Sequence, residues 1–150
     1  MKVSLSTSDK GNIGVAKATA ELIAMGAEVN TPLDASSVYD LLAVYKKNYI
    51  KVQVKYASLV SGSLRVRIAR KTSTDHNKAI PKGDVDLYAV YCPDTDECFG
   101  FWLEELRYEQ TTHIYLRVTA AKNNQKLKTN TAVPLKNVKL DEQKTLKRGI

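Results

Sequence analysis

Three residues of this chain have side chains able to hold a hard metal ion against a phosphate: Asp40, Gln53 and Lys55. Asp40 stands in SVYDLLAVY, among apolar neighbours, where a carboxylate is costly unless it is paired or binds metal. Gln53 and Lys55 stand in NYIKVQVKY, residues 48–56. At the two-residue period of a strand, Ile50, Val52, Val54 and Tyr56 face one side, and Tyr49, Lys51, Gln53 and Lys55 the other. Gln53 and Lys55 then lie roughly 6.5 to 7 Å apart on one face. A tight connection through YKKN folds a strand at 37–44 onto one at 48–58 and brings Asp40 close to Gln53. Mg²⁺ takes oxygen ligands, with water and phosphate completing its shell, and it acidifies bound water. A lysine adds positive charge near the nucleophile or the phosphate. A solvated edge strand would also account for Lys51 and Lys55, but not for Gln53 facing a near-core Asp40. Lys51 and Tyr49 read as walls of such a site.

The elements that must position these residues follow from periodicity. TSDKGNIGVAKATAELIAMG reads as a helix capped at Ser8 or Asp9 and stopped at Gly26, with Ile13, Ala16, Ala20, Ile23 and Ala24 on its apolar face. Gly11 and Gly14 weaken its start, which implies close packing against another element. A first strand at AEVNTPL precedes the hairpin. Beyond it, SGSLRVRIARK reads as a strand with Leu64, Val66 and Ile68 inward and Arg65 and Arg67 outward. Residues 71–83 lose periodicity and form a long basic loop of the functional kind. VDLYAVYC, the turn PDTDE and CFGFWL form a hairpin, and THIYLRV is expected to be the last strand before a basic tail. One helix followed by a run of strands indicates an α+β fold or an α/β fold with a mixed β-sheet. Cys92 and Cys98 read as small apolar residues of the hairpin, not as a disulfide or zinc pair.

At 150 residues and 43% hydrophobic, the chain suits a single domain, residues 1–150, with a core of its own. It has no apolar run long enough to span a membrane, and MKVSLSTSDKGNIG lacks the features of a secretory signal. A cytoplasmic protein without a membrane partner is expected. The net charge of +7 is unevenly spread. Residues 61–82 carry 6 basic and 1 acidic side chains, residues 83–120 carry 2 and 8, and residues 121–150 carry 8 and 2. Two basic segments around an acidic one suit a face that binds a polyanion. A nucleic acid is the expected partner. Arg65 and Arg67, two apart on a strand laid in the major groove, would reach base edges. Arg70, Lys71, Lys78, Lys82, Lys122, Lys126 and Lys128 would hold phosphates, and Asn123, Asn124 and Gln125 would contact base or backbone. His76 beside Asn77 is assigned no catalytic role.

The spacing of Asp40 and Gln53-Val54-Lys55 resembles the PD-(D/E)XK nuclease signature, with Gln in place of the second acid. The surrounding order strengthens the likeness: KGNIG, VYDLL, VQVKYASL, DLYAVYCPDTDE and LRVTAAKNNQ. Together these resemble the group I intron-associated PD-(D/E)XK endonucleases, most nearly the homing enzymes of cyanobacterial transfer-RNA-gene introns. The resemblance implies a restriction-endonuclease-like core with a mixed β-sheet flanked by helices. It also implies double-stranded DNA as the partner and Mg²⁺-dependent double-strand cleavage of a long DNA site. By it, Asp40 and Gln53 would ligate the metal, and Lys55 would orient water. A free lysine has a pKa near ~10.4, so an electrostatic and positioning role suits Lys55 better than general base. Cutting both strands with one site per chain implies a homo-oligomer, a dimer or more readily a tetramer. The aromatic stretch Cys98 to Leu103 is a candidate interface, or else ordinary core. One departure matters: the family often carries a glutamate after the helix-opening glycines, where this chain has Val15. Asp40 is then the one formal anion near the metal, and Lys55 cancels it. Metal binding requires DNA, or Glu21 or Asp84 contributes, or the chain is an impaired, non-cleaving DNA binder. A resolvase or restriction-type nuclease on the same core is the further alternative.

Overall fold

The computed structural model describes residues 3–68, 83–106, 112–119 and 130–142. Helix α1 spans Thr7–Ala24. Its cap is Ser6, two or three residues earlier than expected. The Ser6 hydroxyl accepts from the Asp9 N–H at 3.1 Å, and the Asp9 carboxylate accepts from the Ser6 N–H at 3.1 Å, a capping box that satisfies two otherwise unpaired donors. Met25 ends the helix and Gly26 follows at φ +99°, the left-handed conformation that suits a helix stop. The buried stripe is Gly14, Ala18 and Leu22. The expected face was out of phase: Ala16, Ala20, Ile23 and Ala24 are exposed, and Ile13 is half-buried. Alanines at 16, 18 and 20 give both phases nearly equal apolarity. Leu22 and the close approach at Gly14 decide between them.

The main sheet has the order β1-β2-β3-β6-β7, formed by Glu28–Asn30, Leu41–Tyr45, Asn48–Tyr56, Leu87–Cys92 and Glu97–Trp102. All neighbours run antiparallel except β3 and β6, which are parallel. β2 begins later than expected, after Asp40. A second sheet, β4-β5-β8-β9, is built from Leu59–Val60, Ser63–Arg67, His113–Arg117 and Asn130–Thr131. Strand β8 is therefore not the last, because β9 pairs with it in parallel. This is the expected mixed-sheet α/β class. Among the described residues, however, the main sheet is flanked by one α-helix and, on its other face, by the second sheet.

Two cores result. The first lies between α1 and the main sheet and contains Leu22, Leu41, Ile50, Val52, Leu87 and Trp102. The second lies between the sheets and contains Leu64, Val66, Ile68, Tyr88, Val90, Phe99 and Phe101. Strand β6 alternates between them, which is why all six of its residues are buried. Phe99, Phe101, Trp102 and Leu103 are buried core, so the aromatic hairpin offers no exposed face for self-association. Cys92 belongs to the second core and Cys98 to the first. Tyr91, not Cys92, is the cross-strand partner of Cys98, and both thiols are free.

Part of the basic tail is a structural strap. The Gly100 N–H donates to the Val133 carbonyl at 2.9 Å, and Leu135 and Leu140 are buried in the first core. Gly100 permits this approach: a Cβ there would stand 2.7 Å from Leu135 Cδ1 and 3.2 Å from Val138 Cγ2. No helix among the described residues is long and apolar enough to cross a membrane.

Candidate active site

Strand β3 pairs with β2 over its first half and with β6 over its second. Where β2 has not yet begun, the Asp40 carboxylate takes the place of a strand. Its N–H donates to the Val52 carbonyl at 2.9 Å, and its Oδ2 accepts from the Val54 N–H at 2.8 Å. The β2–β3 register ends at the Leu41–Val52 pair, and Asp40, next in line, reaches past Gln53 to the Val54 N–H. Gln53 and Lys55 lie on the side of β3 turned away from α1, and the Asp40 charge is felt at Lys55. The expected constellation is thus brought together. Asp40 is half-buried and fastened at both ends of its short reach.

Gln53 supplies the most telling atom of the group. Its Oε1 is buried and has no hydrogen-bond partner among the described residues. A buried acceptor without a donor costs roughly 1–3 kcal/mol, and such atoms call for an explanation. An oxygen beside a carboxylate and otherwise unpaired is the donor set a hard cation takes. The residues present therefore fit Mg²⁺, with Asp40 and Gln53 as the side chains able to hold it. They fit it sparsely. Among the described residues no group of three or more His, Cys, Asp or Glu could hold a metal ion.

Lys55 is half-buried beside them. Burial pushes its pKa below the ordinary lysine value, the Asp40 charge opposes that shift, and the Arg67 guanidinium adds to it. Arg67 was expected to act only as a base reader. It comes this close because the chain turns at Ser61–Gly62 and β5 runs antiparallel to β4, back toward the end of β3 that it left. Arg65 and Arg67 do share the outer face of β5, with Leu64, Val66 and Ile68 inward as expected. Tyr49 is exposed, and the Lys51 ammonium donates to the Gly83 carbonyl.

Gly14 lets α1 lie directly behind the motif strand. A Cβ at this position would stand 3.4 Å from Val54 Cγ1 and 3.7 Å from the Lys55 carbonyl oxygen. Gly11 has nothing within 4 Å, so the close packing expected of both glycines belongs to Gly14 alone. Val15, at the position of the expected acid, is half-buried and packs against the first core. Glu21 is also on the helix side, lining a recess of about 290 Å³ with Lys17, Asp96 and Cys98, and the sheet separates it from Gln53 and Lys55. Asp84 is half-buried ahead of β6.

One acid beside the motif strand escaped the sequence reading. Asp86 is 5% exposed; its Oδ2 accepts from the Lys51 N–H at 2.9 Å and its own N–H donates to the Lys51 carbonyl at 2.9 Å. It does on the β6 side of β3 what Asp40 does on the β2 side. The signal was available: a carboxylate opening a fully apolar strand must be paired. Also missed were His113, Tyr115 and Arg117, the cross-strand partners of Arg67, Arg65 and Ser63. The expected DNA contacts Arg70, Lys71, Lys78, Lys82, Lys122, Asn123, Asn124, Gln125, Lys126 and Lys128 lie outside the described residues, as does His76.

The family model for PD-(D/E)XK endonucleases matches residues 5–135. The chain belongs to the PD-(D/E)XK endonuclease family. The match runs from before α1 to Leu135, so it takes in the helix, both sheets and the start of the strap. It makes this a nuclease domain of a family that works with divalent metal ions. Among solved structures, a bacterial homing endonuclease, I-Ssp6803I, superposes with a TM-score of 0.65 at 23% identity, over 80% of this chain and 84% of that one. That likeness establishes the restriction-endonuclease-like fold. None of the curated protein sequences matches this chain.

Proposed function

We propose that this chain is a homing-type endonuclease that makes Mg²⁺-dependent double-strand breaks at one long DNA site and so promotes intron invasion. The observation that carries the reading is the orphaned Gln53 oxygen beside Asp40 and Lys55 on one face of β3. The homing assignment is supported by the likeness to a bacterial homing endonuclease. In this reading Asp40 and Gln53 would hold the ion, and the chemistry it would supply is charge neutralisation at the scissile phosphate and acidification of a water. The Val54 N–H orients Asp40, leaving its second oxygen for the ion. Lys55 keeps its proton and steers the attacking water by charge, while Arg67 draws the phosphate toward the face. Two strands must be cut, so the active form is a homo-oligomer, with a tetramer favoured for a long target and a small protomer.

A second reading, a DNA-binding protein of the same fold that does not cleave, is favoured by one observation. Val15 packs into the first core where the family often places an acid. The two separate in a cleavage assay on intronless transfer-RNA-gene DNA, with and without Mg²⁺, for the chain and for Val15→Glu. Cutting by the unaltered chain is expected. Cutting by Val15→Glu alone would mark an impaired nuclease. Binding without cutting by either would establish the non-cleaving reading.

A further inference from the structure

The second sheet is widest at one end. Among the described residues, β4 pairs with β5 at Ser63 and Leu64, and β9 pairs with β8 at Leu116 and Arg117. Toward the other end the described part of the sheet consists of β5 and β8, with Arg65 opposite Tyr115, Val66 opposite Ile114 and Arg67 opposite His113. The Ile68 N–H continues the ladder to the Thr112 carbonyl at 2.9 Å. Val66 and Ile114 face the core, so Arg65, Tyr115, Arg67 and His113 form a two-by-two grid on the outer face. Neither SLRVR nor HIYLR contains an acid. Tyr115 is 52% exposed, high for an aromatic residue in mid-strand.

We propose that this two-stranded ribbon enters the DNA major groove and that Tyr115 and His113 read bases alongside Arg65 and Arg67. The inference rests on the DNA-cleaving reading and names the surface that would select its target. A major groove admits a two-stranded ribbon, whereas a four-stranded sheet is too wide for it. Same-face residues two apart on a strand are separated by roughly 6.5–7 Å, close to two base-pair steps of about 3.4 Å. Each strand therefore meets the groove floor every second step, and the partner strand offsets the grid by one side chain. The tyrosine ring gives an apolar face for a thymine methyl and a hydroxyl for a base edge. His113 has its pKa held below the ordinary histidine value by burial first, then by the Arg65 and Arg67 charges. It thus presents a neutral ring, with Nδ1 at 3.0 Å from Thr112 Oγ1. Arg117 is set apart: it lies at the four-stranded end, and its Nε donates to the Thr119 carbonyl at 3.2 Å. Arg67 joins the ribbon to the motif face, so DNA held in this groove brings its backbone toward Lys55.

The test selects bound duplexes from a pool randomised over a long central segment, with full-length chain and EDTA to prevent cutting. Variants are Tyr115→Ala, Tyr115→Phe, His113→Ala and Arg117→Ala. The unaltered chain should enrich one motif. Tyr115→Ala should lose roughly 5- to 150-fold discrimination at one or two adjacent positions, with affinity for unselected DNA unchanged within about twofold. His113→Ala should relax a different position, and Arg117→Ala none. Tyr115→Phe keeps the ring and tests whether the hydroxyl carries the preference. An unchanged motif in Tyr115→Ala and His113→Ala, a uniform loss at all positions, or no motif for the unaltered chain would each overturn the inference. Adding Mg²⁺ to the enriched duplex tests the endonuclease reading separately. A motif that responds to Tyr115 but is never cut leaves the ribbon standing and removes the cleavage assignment.

Discussion

Replacing Gln53 by leucine removes the unpartnered Oε1 while keeping the volume of the side chain nearly constant. If that oxygen waits for a cation, its burial is a standing cost in the metal-free protein. The cost of one buried unsatisfied acceptor is roughly 1–3 kcal/mol. For a chain of this length each kcal/mol moves the melting temperature by roughly 2–4 °C, so Gln53→Leu should melt about 2–12 °C higher than the unaltered protein in EDTA. Saturating Mg²⁺ in the presence of duplex DNA should reverse the order. At a hundred times its dissociation constant a ligand adds about 2.7 kcal/mol, and the leucine variant should gain almost none of this. Gln53→Glu makes the opposite change. It places a second carboxylate beside Asp40, so it should lower stability in EDTA at neutral pH and respond to Mg²⁺ more strongly than the unaltered chain. Melting curves for the three proteins, with EDTA or Mg²⁺ and a fixed duplex, decide the matter. A Gln53→Leu protein that is less stable than the unaltered chain in EDTA, or that gains equally from Mg²⁺, would refute the assignment of Gln53 as a waiting ligand.

Lys55→Ala should abolish cleavage yet leave DNA binding within roughly tenfold, measured by cleavage and by mobility shift, since the lysine's work lies in the transition state; equal loss of both would make it a binding residue. Because burial lowers the Lys55 pKa, cleavage should fall as pH rises through a value below the ordinary 10.5, where the ammonium is lost, and activity rising through that limb would instead mark a general base. Leu135→Ala should destabilise the fold by about 2–5 kcal/mol in urea melts, as for other fully buried leucines; a neutral result would mean that the strap is not core. The β2–β3 turn sets Lys46 at φ 46° and Lys47 at φ 66°, so Lys46→Asn with Lys47→Gly should raise stability by about 1 kcal/mol or more, read by the same melts.

The motif strand was legible because its chemistry and its packing use the same two-residue period. Ile50, Val52 and Val54 must face a core, and that alone turns Gln53 and Lys55 to one other side. The YKKN turn then fixes the β2–β3 register, at whose end the Asp40 carboxylate reaches the Val54 N–H. The helix was legible as a helix but not in its phase, since a run of alternating alanines leaves a weak apolar moment and the partner strand makes the choice. The strap was not legible. Leu135 and Leu140 are five apart in a basic stretch with neither helical nor strand period, and their burial depends on a groove that Gly100 opens in a distant strand. Nor could the pairing of β5 with β8 be read, because it joins residues about fifty apart across a long unpatterned segment, and with it went His113 and Tyr115.

The same tertiary contact that hid from the sequence changes how the site's charge should be understood. Asp40 against Lys55 gives a neutral pair, and the Arg67 charge is also felt at Lys55. One Asp40 oxygen is already committed to the Val54 N–H, so a dication approaching the free protein meets one carboxylate oxygen, one amide oxygen and two nearby cations. A DNA phosphate reverses this. It is drawn by Lys55 and Arg67, offsets their charge, and contributes the further oxygen that a sparse donor set lacks. On the proposed reading, metal affinity is therefore conditional on DNA lying across β3. On the same reading, Arg67, paired with His113 on the β5–β8 ribbon, would both complete the electrostatics and meet the target sequence. A chain with a family acid at position 15 would hold its ion more independently of DNA. On the proposed reading, Val15 would make the ion's retention depend on recognition, and so would link cleavage to the correct site more tightly than a second acid would.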